Sequence, residues 1–149
     1  MNIKIKQMKK IILSLVLFCL VLISCNAVNT AYSQKAALQG AWELNYISGP
    51  RIAFSGLYPN DVPTITFDLK QSRVSGKNSC NSYSGALNAD GNKISFKGPM
   101  ALTKMFCPGE GENVYMNTLE KIDSYSISED GKTLNFLMGD IAIMRFEKK

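Results

Sequence analysis

From Ala41 onward, the apolar residues of this chain alternate with polar residues in short runs, and Gly-containing turns separate the runs. A period of two is typical of a strand that buries one face and exposes the other to water. Runs of this kind, about every 8 to 12 residues, are typical of all-β domains. The pattern therefore predicts a mainly β fold, an antiparallel meander that closes into a barrel or folds as a sandwich.

One segment departs from this alternation and has a helical period instead. Tyr115, Leu119 and Ile122 recur at i, i+4 and i+7, which places them on one face of a helix. Glu110 and Glu112 precede them, where carboxylates favour a helix N-terminus. The sequence predicts one α-helix over about residues 110–122, which would plug or cap one end of the barrel.

The N-terminus has the pattern of an export signal. Four Lys precede an apolar run of 13 residues, 11–23, which is shorter than the roughly 20 residues needed to span a bilayer. The run ends in Leu22-Ile23-Ser24-Cys25, which resembles the bacterial lipobox, so we expect Cys25 to be lipidated. Ordinary cleavage after Ala27 or Ala31, giving an unlipidated product, is the alternative.

These segments divide the chain into three parts. Residues 1–24 are predicted to be a lipoprotein signal peptide, 25–39 the lipidated Cys with a flexible tether, and 40–149 the folded domain. The expected location is the cell envelope, in the outer membrane or on the periplasmic face of the inner membrane. The expected partner is the membrane, contacted through the lipid anchor.

The net charge argues against nucleic-acid binding. The chain has 17 Lys and Arg against 12 Asp and Glu, but residues 1–25 contribute four Lys and no acid. The remainder is nearly neutral, and its positive charges are scattered among acids. Binding to phosphate backbones needs clustered cations.

The absence of His from the sequence removes most hydrolytic chemistry. No Ser-His or Cys-His nucleophile and no His-based zinc site can be built. Glu110 and Glu112 could form an acid and base pair or a Ca²⁺ site, but a helix start is the simpler interpretation. We expect a protein that is not an enzyme and has no metal and no cofactor.

The four cysteines divide by compartment. Cys19 belongs to the signal and Cys25 is the lipidation site, which leaves Cys80 and Cys107 in an oxidising environment. One disulfide is the expected outcome. A redox pair or free thiols are the alternatives, although the pair lacks C-x-x-C spacing.

Three groups of residues remain open to a structural or a functional interpretation. Large aromatic residues on alternating strand positions favour a core but could line a ligand cavity. A polar turn could be a recognition loop or could satisfy backbone groups. The Gly- and Pro-rich loop of residues 48–61 is a candidate contact surface or lid. The aromatic residues are Trp42, Phe67, Phe96 and Phe136. The turn residues are Asn81, Tyr83 and Gly85, and the apolar residues of the loop are Ile52, Phe54, Leu57 and Tyr58.

Several of these motifs together resemble the META domain, the family of HslJ-type bacterial envelope lipoproteins. The segment 42–49 resembles the opening W-x-L-x-x-I-x-G, and 80–85 is similar to the C-N-x-Y-x-G turn. Residues 103–107 resemble the T-x-M-A-C strand, followed by an E-x-x-Y-x-x-x-L helix at 112–119. Ser79 replaces the usual Gly before the first Cys, and Phe106 replaces the small residue before the second.

The resemblance implies a lipocalin-like barrel with a helix across it, and a role in envelope stress or antibiotic tolerance without catalysis. It implies no cofactor. We therefore expect a lipid-anchored envelope protein that acts by binding. The alternatives are a carrier of a small apolar ligand inside the barrel, and an inhibitor or partner-binding protein that uses the Ser48–Asp61 loop on another envelope protein.

Overall fold

The computed structural model describes residues 34–149 and the single residue Met8. Residues 34–149 form one compact unit of ten strands and two short helices between them. The elements are β1 (Gly40–Ile47), α1 (Phe54–Leu57), β2 (Thr64–Asp68), β3 (Arg73–Lys77), β4 (Ser82–Ala86), β5 (Asn88–Asp90), β6 (Lys93–Ser95), β7 (Met100–Leu102), α2 (Gly111–Leu119), β8 (Ser124–Ile127), β9 (Thr133–Met138) and β10 (Ile141–Lys148).

All ten strands belong to one antiparallel sheet with the order β5-β6-β8-β9-β10-β1-β2-β3-β4-β7. Strands β5 and β7 are its two edges. Leu87 alone separates β4 from β5, although β4 lies next to one edge and β5 is the other. Because this connection is so short, the sheet must curl until its two ends approach each other. The curled sheet forms a half-barrel. The predicted mainly β, antiparallel fold is confirmed.

Strand β1 shows where simple alternation fails. Trp42 and Leu44 face the core as predicted, but Tyr46 is 42% exposed and Ile47 is buried in its place. The register with β10 shifts between Leu44 and Tyr46, so the strand contains a bulge. One extra residue in a strand moves the following side chains to the opposite face.

Helix α2 packs across the inner face of the sheet. Its predicted stripe of Tyr115, Leu119 and the following Ile122 is buried. The Tyr115 ring lies 6.5 Å from the ring of Phe146 on β10 and 5.8 Å from that of Tyr83 on β4. The predicted helix is confirmed, although its observed range, Gly111–Leu119, is shorter at both ends than residues 110–122.

The interior of the half-barrel is filled by aromatic side chains. Trp42, Phe67, Phe96 and Phe136 are all buried, as the core interpretation predicts. Phe136 makes edge-on contacts with Phe67, Phe96 and Phe146 at centroid distances of 5.2 to 6.4 Å. Aromatic pairs in this geometry contribute beyond their buried area.

The folded unit includes residues that were predicted to be part of the tether. Residues 34–37 are helical, and Leu38 is fully buried, with its carbonyl accepting a 2.8 Å bond from Trp42 Nε1. The Gln34 side chain accepts from the N–H of Ile127 and donates to its carbonyl oxygen. The predicted start of the domain at residue 40 is therefore too late, because the alternating pattern cannot register a side chain that pairs with a distant backbone.

The predicted signal peptide and Cys25 lie outside the described residues, as does the tether up to residue 33. In residues 34–149, no helix combines the length and the apolar character needed to cross a membrane.

Candidate functional site

The polar turn between β3 and β4 is organised by Asn81, whose side chain is almost fully buried. Its Oδ1 accepts from the N–H of Met105 at 2.8 Å, and its Nδ2 donates to the carbonyl of the same residue at 3.1 Å. The amide thus pairs with Met105 as a neighbouring strand residue would. It extends the pairing of β4 beyond the end of β7.

The same amide also connects the turn to the helix. Nδ2 of Asn81 donates to Oε2 of Glu112, in the first turn of α2, at 2.9 Å, and Oδ1 accepts from the Thr103 hydroxyl at 2.8 Å. Asn81 therefore joins three segments of the chain. Its hydrogen-bonding capacity is used within the domain, which favours the structural interpretation of the motif.

Tyr83 and Tyr115 form a buried hydroxyl pair below this turn. Their oxygens are 2.7 Å apart, and the Tyr83 hydroxyl lies 3.0 Å from the carbonyl oxygen of Thr64. Burial raises the pKa of both hydroxyls well above the usual range. The pair is therefore neutral at physiological pH and acts as a hydrogen-bonded link between β4 and α2.

Two glycines permit these close approaches. A side chain at Gly76 would lie 2.0 Å from the Thr64 carbonyl oxygen and 2.7 Å from the Tyr83 hydroxyl. At Gly85, the third residue of the sequence motif, a Cβ would lie 3.2 Å from the Met100 side chain of β7. Of the predicted turn residues, only Asn81 lies in the turn between β3 and β4, whereas Tyr83 and Gly85 lie within strand β4, so the turn is shorter than predicted.

A disulfide joins Cys80 and Cys107 with 6.1 Å between their Cα atoms. This pair follows the expected division of the cysteines. It holds the β3–β4 turn against the segment that leads into α2. Ser79, at the position where the META pattern has Gly, has a φ of +95°, which a side chain strains.

The predicted contact loop, residues 48–61, is partly a structural element. Leu57 and Tyr58 are buried, against the expectation that they are exposed, and the Tyr58 hydroxyl donates to the carbonyl of Gly111 at 3.2 Å. Burial raises the pKa of Tyr58 to about 12. Short helix α1 turns these two side chains inward to cover the start of α2, which sequence alternation could not indicate.

The other two predicted contact residues lie nearer the surface. Ile52 is 47% exposed, whereas Phe54 is partly buried and packs edge-on to Tyr58 at 5.2 Å. Beside the loop, a cleft of about 330 Å³ separates it from the disulfide. The cleft is bordered by Pro59, Asn60, Asp61, Lys77, Ser79, Met105, Pro108 and Glu112, among others.

The most exposed apolar residues near this cleft were not among the predicted contact residues. Phe106 is 94% exposed and Met105 is 59% exposed. A signal existed in the sequence, because Phe106 is the large residue that replaces a small one in the family pattern. The resemblance of residues 103–107 to the T-x-M-A-C strand hid it, since β7 ends at Leu102.

The acidic candidates are separated by the structure. Glu110 precedes α2 and is exposed, whereas Glu112 lies in the first helical turn and is bonded to Asn81. Among residues 34–149, no group of three or more Cys, Asp or Glu side chains is arranged to hold a metal ion.

Comparison with known proteins places this arrangement in a family. The META domain matches residues 34–149, and the chain belongs to the META domain family. Comparison with the curated proteins gave no match.

Solved structures share the fold. A protein from Burkholderia xenovorans, solved by NMR, has a TM-score of 0.62 at 23% identity over 80% of this chain and 88% of its own. A second protein solved by NMR has a TM-score of 0.52 at 19% identity, over 74% and 90%. A DUF4847 family protein from Bacteroides vulgatus gives 0.52 at 15%, over 77% and 96%.

Proposed function

We propose that this META-domain protein is a non-enzymatic, lipid-anchored component of the bacterial cell envelope that contributes to stress or antibiotic tolerance by binding. The observation that carries the anchor is the Cys that follows the apolar run after one small residue, in Leu22-Ile23-Ser24-Cys25. The disulfide between Cys80 and Cys107 fits an oxidising compartment.

The distribution of polar groups supports binding over catalysis. The polar groups of Asn81, Tyr83 and Glu112 are bonded to partners within the domain, namely Met105, Thr64 and each other's side chains in the case of Asn81 and Glu112. Apolar side chains, by contrast, are exposed to solvent in the segments that form the cleft: Met105 borders it, Phe106 is the next residue, and Ile52 lies in the loop whose end lines it. Exposed apolar residues that border a cleft are typical of contact surfaces.

The structure supports the two alternative functions to different degrees. The aromatic residues that fill the half-barrel leave the carrier hypothesis without a supporting observation, because a carrier needs an interior cavity. Partner binding through the loop retains support from Ile52 and the cleft, but Leu57 and Tyr58 are buried and unavailable.

The anchor is tested by expressing the full chain and its Cys25→Ser variant in bacteria and analysing the mature N-terminus by mass spectrometry. We expect acyl groups on Cys25 and release of the variant into the soluble fraction. An unmodified N-terminus after residue 27 or 31 would contradict the anchor.

The binding role is tested with Met105→Ser and Phe106→Ser in the anchored protein. We expect envelope stress tolerance to fall to the level of a deletion strain, while the melting temperature stays unchanged because both side chains are exposed. Turnover of an envelope substrate that depends on Glu110 or Glu112 would overturn the non-enzymatic proposal.

A further inference from the structure

Strand β7 has one unpaired edge. In the described part of the chain it pairs with β4 alone, with Ala101 opposite Ser84 and Leu102 opposite Tyr83. The N–H of Thr103 donates to β4, and the Asn81 amide bonds Met105 on the same side. Because main-chain groups alternate along a strand, those of Met100, Leu102 and Lys104 are directed to the open edge.

This edge is exposed along its length. Residues 101–106 are all exposed, a run that includes Leu102 at 37%. Beside it, Met100 and Leu102 border a cleft of about 190 Å³ together with Phe96, Met116, Leu119 and Glu120. An unpaired strand beside an apolar cleft is a template for an added strand, whose alternate side chains would lie over the cleft.

We propose that β7 pairs antiparallel with β7 of a second copy of this chain, in a register centred on Leu102. This register is the one that pairs all three residues facing the edge. Leu102 lies opposite Leu102 of the partner, and Met100 lies opposite the partner's Lys104, each pair exchanging two hydrogen bonds. A shift by two residues in either direction loses one of the three pairs.

Charge favours a second copy as the occupant. A Lys on an edge strand ordinarily opposes pairing. In the proposed register, however, Lys104 lies opposite Met100 of the other copy, and Met100 borders the same cleft as Glu120. The two-fold symmetry places two such Lys and Glu pairs at the interface. A free edge, an apolar cleft and a complementary charge are therefore all supplied by one surface.

The register is tested in the full chain by cysteine cross-linking under mild oxidation. Leu102→Cys places two thiols directly opposite each other, with Cα atoms about 5.5 Å apart. Ala101→Cys is the matched control, because its two Cα atoms would be about 8 Å apart, beyond disulfide reach. We expect a disulfide-linked dimer from Leu102→Cys only. No dimer at position 102, or equal amounts from both variants, would overturn the proposal.

The charge pairing is tested without engineered cysteines, on residues 34–149 with the disulfide closed, since these form a compact unit with their own core. Sedimentation should show a dimer whose dissociation constant rises about tenfold in Lys104→Glu and in Glu120→Lys. The double variant should recover it, and Lys70→Glu, on the β2–β3 turn, should not change it. A monomer at all concentrations, or a double variant weaker than either single variant, would overturn the proposal.

Discussion

The two edges of the sheet are protected to different degrees. At β5, Lys35 Nζ donates to the Ala89 carbonyl at 3.0 Å, and the strand is only three residues long. At β7, the chain continues extended past Leu102, held on its inner side by the Asn81 amide and by the disulfide at Cys107. Nothing in residues 34–149 pairs with its outer side.

The comparison shows that side chains can either terminate or extend a sheet. An ammonium group occupies one carbonyl of the three-residue edge strand and so leaves fewer main-chain groups for another strand to bond. A primary amide, which carries a donor and an acceptor as a peptide unit does, instead continues the ladder. The META turn motif thus keeps β7 extended while leaving its outer edge open.

The largest expected effect comes from the disulfide that fixes the β7 end. Replacing Cys80 and Cys107 by Ala should lower the free energy of unfolding by about 3 to 4 kcal/mol, since the bond closes a loop of 27 residues. Urea unfolding of both forms measures this. A loss below about 1 kcal/mol would mean that Asn81 holds the segment without the covalent bond.

Removal of the Asn81 amide should have the second-largest effect on stability. Asn81→Ala leaves the Met105 main chain and the Glu112 carboxylate without their partner, and we expect a loss of about 2 to 3 kcal/mol.

The matched variant Asn81→Asp keeps the acceptor but places a carboxylate beside that of Glu112. The mutual repulsion raises the pKa of the introduced carboxyl above its ordinary value of about 4, so the destabilisation should be largest at neutral pH and should shrink as pH falls towards about 4. Urea midpoints at several pH values measure it. A pH-independent cost would argue against contact with Glu112.

Relief of backbone strain at Ser79 should stabilise the folded domain. Ser79→Gly removes the side chain at φ +95° and should raise the free energy of unfolding by about 0.5 to 1 kcal/mol. Ser82→Gly, in β4, is the control and should destabilise. Calorimetry measures both variants. If the two changes in the free energy of unfolding have the same sign, backbone strain at Ser79 is not the cause.

The smallest effect is expected at the β5 edge. Lys35→Met removes one exposed hydrogen bond to Ala89, and the free energy of unfolding should change by less than about 0.5 kcal/mol. If β5 then becomes a pairing edge, sedimentation will show new association that Lys70→Met does not produce. No change in association would indicate that the shortness of β5 suffices to protect it.

Much of the fold could be predicted from local pattern. The alternation of Trp42 and Leu44 and the helical spacing of Tyr115, Leu119 and Ile122 gave the β class, the helix and most of the core, because burial of one face imposes a period on the sequence. The export context likewise left Cys80 and Cys107 as the pair for a disulfide. These inferences depend on neighbours along the chain.

The candidate site could be predicted only in part, because its geometry depends on contacts between distant segments. Pairing of Asn81 with Met105, the burial of Leu57 and Tyr58 against Gly111, and the packing of Leu38 on Trp42 leave no period in the sequence. The exposure of Phe106 depends on where β7 ends.

The sequence by itself determined which residues alternate, which cysteines remain after export and which family the motifs resemble, since each is a property of the chain's order. Only the tertiary structure decided which strand is an edge, which side chains of the 48–61 loop turn inward and what Asn81 bonds. The reason is physical. A strand's free edge and a side chain's burial are defined by the segments that pack beside them, and curling of the sheet sets those neighbours.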